Sequence, residues 1–204
     1  MKLSKKLIEI NVISLVIFIL ILLAVKFTNL FTNINLYIHS LFLLIQNNYL
    51  LIFSSIIAFI FDTTSMVVIS LIISIFIWKK YSKKEAIFFS ITMLFDALIL
   101  FILKNLFQIQ RPLNGFETDF AFPSGHATTA ILFFSLLTYF IIKKYKNLKL
   151  KMIIISIFMI TLISLTRLYL GVHYISDILA GLALGTFIFT LSIIIQNGRS
   201  KSRI

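Results

Sequence analysis

The chain has 204 residues, 60% of them hydrophobic and 13% charged, with a net charge of +12 and a mean hydropathy of +1.05. Soluble domains are about 45–50% apolar and about 25% charged, so this much apolar surface excludes an ordinary soluble core and fits one all-α, membrane-embedded bundle spanning 1–204. There is no cysteine, which excludes a disulfide framework, a thiolate metal site and a cysteine nucleophile.

Apolar runs of roughly 20 residues predict membrane-crossing helices. Leu7–Phe27 is the first, with Glu9 and Asn11 suggesting a slightly later start. It is longer than a signal-peptide core and lacks a small-residue cleavage site, so it is expected to be retained. Leu36–Ile45 is apolar but short, carries His39, and is expected to lie in the outer interface. Tyr49–Trp78 is broken by Asp62-Thr63-Thr64. Its crossing is expected at Thr64–Trp78, with Leu50–Phe61 as an approach segment or an extension of the same helix. Further crossings follow at Ala86–Leu106, Ala127–Ile142, Met152–Leu168 and Ile175–Ile195, six in all.

Basic residues then orient the bundle. Lys2, Lys5 and Lys6 precede the first span; Lys79, Lys80, Lys83 and Lys84 separate the second and third. Lys143, Lys144, Lys146, Lys149 and Lys151 separate the fourth and fifth, and Arg199, Lys201 and Arg203 end the chain. With six crossings these fifteen of the 19 Lys and Arg share one side. That side is expected to be cytoplasmic by the positive-inside rule, with both termini on it. The charge is thus a topology signal that needs no nucleic-acid partner.

Lys26, Lys104, Arg111 and Arg167 remain. Singly, a basic residue at a helix end is an interfacial anchor, a lone histidine a polar interface residue, Asp177 a cap, and Pro123-Ser124-Gly125 a turn and helix start. Yet Lys104, Arg111, Arg167, His126, His173 and both prolines, Pro112 and Pro123, converge on three neighbouring helix ends. Three cations and the backbone N–H groups opening the fourth helix, with Ser124 and Gly125, suit a phosphate trianion. His173 and Asp177 are four apart, so on a helix the carboxylate can hold one ring nitrogen and leave the other free to attack. His126, at the start of the fourth helix, is placed to protonate a leaving alkoxide. Glu117 and Asp119 are expected to form a solvated loop rim, and Asp96 to face the bundle interior and pair with a polar neighbour in a structural role.

Three blocks carry a resemblance: Lys104, six residues, Arg111-Pro112; then Pro123-Ser124-Gly125-His126; then Thr166-Arg167, five residues, His173, three residues, Asp177. Together they resemble the type 2 phosphatidic acid phosphatase superfamily, over roughly Asp62 to Ile195 and in its membrane-bound branch. Thr166 stands where that family usually has serine, and keeps the hydroxyl. Phe120-Ala121-Phe122 and Tyr169-Leu170-Gly171-Val172 look most like the small bacterial phosphatidylglycerophosphatase B-type enzymes.

The resemblance implies a lipid phosphatase in which His173 forms a phosphohistidine, Asp177 orients it, and His126 acts as acid and then base. Lys104, Arg111, Ser124, Gly125 and Arg167 would hold the phosphoryl oxygens, with no metal and no cofactor. A membrane lipid bearing phosphate is the expected partner: phosphatidylglycerol phosphate, undecaprenyl diphosphate, phosphatidic acid or lysophosphatidic acid. Two rivals share parts of the pattern. Vanadium-dependent haloperoxidases use the same residue set but are soluble and much larger, and a transporter or channel with a basic outer vestibule would need no His–Asp pair beside two arginines.

Overall fold

A computed structural model describes residues 5–112 and 117–201; Lys2 and Arg203, used above for orientation, lie outside the described residues. Among these residues the regular structure is all helical: α1 (Lys5–Phe27), α2 (Thr32–Leu44), α3 (Asn48–Ile60), α4 (Thr63–Lys80), α5 (Lys83–Phe107), α6 (Gly125–Lys144), α7 (Lys149–Tyr169) and α8 (Ile175–Lys201), with a 3-10 turn at Lys146–Leu148. Five helices are long and apolar enough to cross a membrane: α1, α5, α6, α8, and α7 with its 3-10 turn. The pair α3 and α4, bent by 53°, passes the same test only when taken together, and counted as one span it brings the total to six. The chain is a membrane protein.

Polar residues punctuate the apolar runs. At the break foreseen around Asp62, the carboxylate Oδ2 accepts from Thr64 N at 3.1 Å and starts α4 in a new direction. Ser82 Oγ accepts from Glu85 N at 3.2 Å to open α5. Gln108, in the left-handed region at φ 52°, ends α5. The helices run a few residues beyond the apolar stretches because their flanking lysines keep helical backbone while their heads reach outward. Asn11 does not delay α1, contrary to the sequence reading. Its Nδ2 donates to Phe187 O and Thr190 Oγ1, both at 2.9 Å, so α8 satisfies it inside the bundle.

α6 is the central helix, packed on α5, α7 and α8, while α1 lies along α8 and α4 along α5. Leu132, Phe133, Leu136 and Phe140 of α6 are buried, with Phe89 of α5 edge-on to Phe133 and Phe140. Two glycines of α8 let it approach α6 closely. A Cβ on Gly181 would fall 2.7 Å from Ser124 O, and one on Gly185 would fall 2.3 Å from Ile131 Cγ2. This small-residue spacing of four puts the first turn of α8 against the first turn of α6, where Ser124 N donates to Asp177 O at 3.1 Å. The C-terminal ends of α5 and α7 reach the same end of the bundle. At the opposite end Lys143 pairs with Glu85, which also accepts from Gln196 Nε2 at 2.7 Å.

Candidate active site

Every site residue inferred from the sequence lies at that one end of the bundle. Lys104 is on the last turn of α5, Arg111 on the segment after it, Ser124, Gly125 and His126 at the start of α6, and Arg167 on the last turn of α7. His173 sits in the α7–α8 connection and Asp177 in the first turn of α8. The connection is tight because Gly171 takes φ 68°, where a side chain is strained. A Cβ there would also press on His39 Cε1 at 3.2 Å.

The hydrogen bonds assign the tautomer of His173. Arg111 NH1 lies 3.0 Å from His173 Nε2 and also donates to Val172 O at 2.8 Å. A guanidinium has no acceptor, so Nε2 is the accepting nitrogen and presents its lone pair to the cations. The proton is therefore on Nδ1, facing Asp177 Oδ2 at 3.3 Å. That same Oδ2 accepts from Tyr174 N at 2.9 Å, so the carboxylate is held by the turn it serves. Burial, then Arg111, Arg167 and Lys104, hold the imidazole pKa well below its ordinary value and keep the ring neutral.

His126 faces the same cavity, and its Nε2 donates to Ala58 O of α3 at 3.0 Å, leaving Nδ1 for other work. Ser124 Oγ and Arg167 Nε are buried and have no hydrogen-bond partner among the described residues. Thr166 does not face the site, because its hydroxyl donates to Ile163 O within α7 at 2.7 Å. The unusual threonine therefore leaves the site chemistry untouched. Lys26, the fourth cation set apart from the basic clusters by the sequence reading, lies outside the site, over the Phe107 ring at 5.5 Å.

Glu117 and Asp119 correct the sequence reading, since they are not simply a solvated rim. Asp119 pairs with Lys104 at 2.5 Å and with Arg111 at 2.6 Å. Glu117 pairs with Arg111 at 2.7 Å and with Arg167. The Arg111 and Arg167 side chains are only 6% and 1% exposed, so unpaired charge there would be costly, and these two carboxylates supply the anion. Burial pushes the Asp119 carboxyl pKa up, but the Lys104 hydrogen bond and charge, with Arg111, bring it below the usual value. Spacing alone had no means of showing this, because both acids sit on irregular chain whose course is set by its neighbours.

The bracing around α2 was also missed. Asn35 Nδ2 donates to Ser176 Oγ at 2.9 Å and its Oδ1 accepts from Ser176 N at 3.2 Å. Gln46 Nε2 donates to Tyr169 O at 2.7 Å, and Tyr169 OH donates to Ile45 O at 3.0 Å. The short helix expected in the interface thus clamps the turn carrying His173. Among the described residues no group of three His, Asp or Glu side chains is arranged to hold a metal. The arrangement is suited to one tetrahedral oxyanion group beside a neutral imidazole.

The sequence pattern of the PAP2 superfamily matches residues 63–201. The chain is 34% identical over 103 residues to phosphatidylglycerophosphatase B of Bacillus subtilis (strain 168), covering 47% of this chain and 50% of that protein. It thus spans about half the length of the curated relative it matches. In fold it is similar to the crystal structure of the first transmembrane PAP2 type phosphatidylglycerolphosphate phosphatase from Bacillus subtilis. The TM-score is 0.85 at 24% identity, covering 92% of this chain and 96% of that one.

Neutralising the two internal acids should free the cations for an external anion. Because the two carboxylates occupy the donors that an external anion would use, the double variant E117Q/D119N is expected to bind vanadate or inorganic phosphate at least about tenfold more tightly by calorimetry. Unchanged or weaker binding would show that the acids do not compete for the site.

Proposed function

This chain belongs to the PAP2 superfamily, and from that premise we propose that it is a membrane lipid phosphatase in which His173 is the nucleophile. One observation carries the reading: a buried, neutral imidazole whose Nε2 lone pair faces Arg111 while Asp177 faces its other nitrogen. His173 Nε2 attacks phosphorus and the bond from phosphorus to the lipid oxygen breaks. The leaving oxygen keeps the pair of electrons of the broken bond and takes a proton from His126, whose Nδ1 is protonated when the phosphate anion binds beside it, and departs as the lipid alcohol or lipid monophosphate. Water then attacks the phosphohistidine and gives a proton back to His126, releasing inorganic phosphate and restoring both rings. The Ala58 carbonyl holds His126 Nε2, so Nδ1 is the atom that passes the proton.

Lys104, Arg111 and Arg167, with Ser124 and the first N–H groups of α6, bind the phosphoryl oxygens once Glu117 and Asp119 give way. Asp177 takes up the charge that develops on the His173 ring during attack. The scheme routes no step through a metal or cofactor, and the substrates it suits are phosphatidylglycerol phosphate, undecaprenyl diphosphate and phosphatidic acid. The basic clusters flanking the spans support cytoplasmic termini and a site opening to the outside, where a lipid enters from the outer leaflet.

Phosphate release from a lipid panel in detergent tests the scheme. Expected are full activity with chelator present, loss of at least about a thousandfold in H173A, and a hundredfold or more in H126A. Because the His173 pKa is depressed, the ring stays neutral as pH falls through the ordinary histidine range. The acidic fall of kcat/KM that reports this ring should therefore lie below pH 6.5. Release that survives both substitutions contradicts the mechanism. For orientation, Thr118→Cys gives a chain with one thiol, and an impermeant maleimide should label it in whole cells from outside; labelling only after lysis would reverse the topology.

A further inference from the structure

The candidate site is the mouth of a cavity of about 730 Å³ that runs down between α4 and α5 to the flank of α6. Lys104, Arg111, His126 and His173 line its outer part. Val67, Leu71, Leu94 and Phe101 line its side and are exposed on the outer surface of the bundle, so the cavity opens toward the surrounding acyl chains. An apolar slot continuous with a phosphate site, at the depth of the bilayer, is a place for the tail of the lipid whose head is being hydrolysed.

The slot is not apolar throughout. Asp96 of α5, 1% exposed, and Ser70 of α4, 7% exposed, both line it. Asp96 Oδ2 accepts from Thr129 Oγ1 at 2.7 Å, while Asp96 Oδ1 and Ser70 Oγ are buried with no partner. A polar neighbour was expected for Asp96, and Thr129 is one, but it satisfies only half of the carboxyl group. Two unpartnered polar groups on different helices, facing one cavity at membrane depth, are costly to keep without a ligand. The mechanism uses neither.

Their depth identifies the ligand. Thr129 is four residues beyond Gly125, so its side chain lies about 6 Å below the start of α6, and a phosphoryl group bound above that start places phosphorus on the order of 9 Å from Asp96. In a glycerolipid phosphate this is the level of the glycerol and its acyl ester groups, which carry oxygens. In a polyprenyl phosphate it is bare hydrocarbon.

We propose that Ser70 and Asp96 form a subsite for the glycerol–ester linkage of a glycerolipid substrate, making this chain selective for glycerolipid over polyprenyl phosphates. The proposal rests on the lipid phosphatase reading above and names the substrate class of that site. Ser70 Oγ donates to one ester carbonyl. Asp96, held as the neutral acid by burial with no cation beside it among the described residues, keeps Oδ2 on Thr129 and donates from Oδ1–H to an ester oxygen at the wall opposite.

The test compares kcat/KM for two monoesters, dioleoyl phosphatidate and undecaprenyl phosphate, in wild type, D96L and S70A. A ratio between substrates is independent of the fraction folded, and S70A keeps the test open if D96L fails to fold. Loss of a hydrogen bond of this kind lowers the ratio of phosphatidate to polyprenyl turnover by about tenfold in D96L and about threefold in S70A. A ratio unchanged in both variants, each slowing the two lipids alike, overturns the subsite and leaves Asp96 as a structural tie to Thr129. A wild-type protein that releases phosphate from neither lipid, nor from phosphatidylglycerol phosphate or undecaprenyl diphosphate, overturns instead the reading on which the subsite rests.

Discussion

Two guanidinium groups, one of them almost wholly enclosed, sit beside an imidazole at the end of an apolar bundle. Charges of one sign cannot be kept together there without an anion, because the medium screens them poorly. The rest of the site is intelligible as the means of meeting that demand. Glu117 and Asp119 meet it from within the chain, and a phosphoryl group would meet it with three oxygens in place of two carboxylates. Burial, and then the same field, keep His173 neutral, the state the proposed attack requires. On the proposed reading the cluster that binds the phosphoryl group also tunes the attacking ring, and no further device is needed to couple the two.

Such a cluster has to be assembled from distant parts of the chain, and the packing of α6 on α8 does most of this. Gly181 and Gly185 allow backbone to meet backbone, so that Ser124 N reaches Asp177 O and the N-terminal end of α6 stands next to the His–Asp pair. α2 contributes from outside: Asn35 and the Gln46–Tyr169 contacts fix the short connection on which His173 rides. α3 contributes a single carbonyl, that of Ala58, to set the ring of His126. The bend at Asp62 turns α4 away from the line of α3, and α4 forms one wall of the lateral slot with α5 as the other.

Much of this was legible in the residues themselves. Runs of Ile, Leu and Phe long enough to cross hydrocarbon have only one outcome for the backbone, so the spans at Ala86–Leu106 and Ala127–Ile142 differ from α5 and α6 by only a few terminal residues. Lys104, Arg111, His126, Arg167, His173 and Asp177 were recognisable because polar groups are rare in such a chain and these fall at neighbouring helix ends. What escaped was whatever depends on the course of irregular chain or on partners far away in sequence. The roles of Glu117 and Asp119 needed the path of the α5–α6 connection. Asn11, read as a sign that α1 begins late, needed Thr190 to explain it. Gly181 and Gly185 look unremarkable until the facing helix is known to be α6.

The central claim is that one phosphoryl group, enclosed by the ends of α5, α6 and α7, is passed to His173. Rapid acid-free quenching of the protein with a labelled lipid phosphate, followed by mass spectrometry of its peptides, examines this directly. The account predicts phosphate on His173 of the wild-type protein during turnover and none in H173A. Phosphate on any other residue, or turnover in which His173 is never modified, would contradict it.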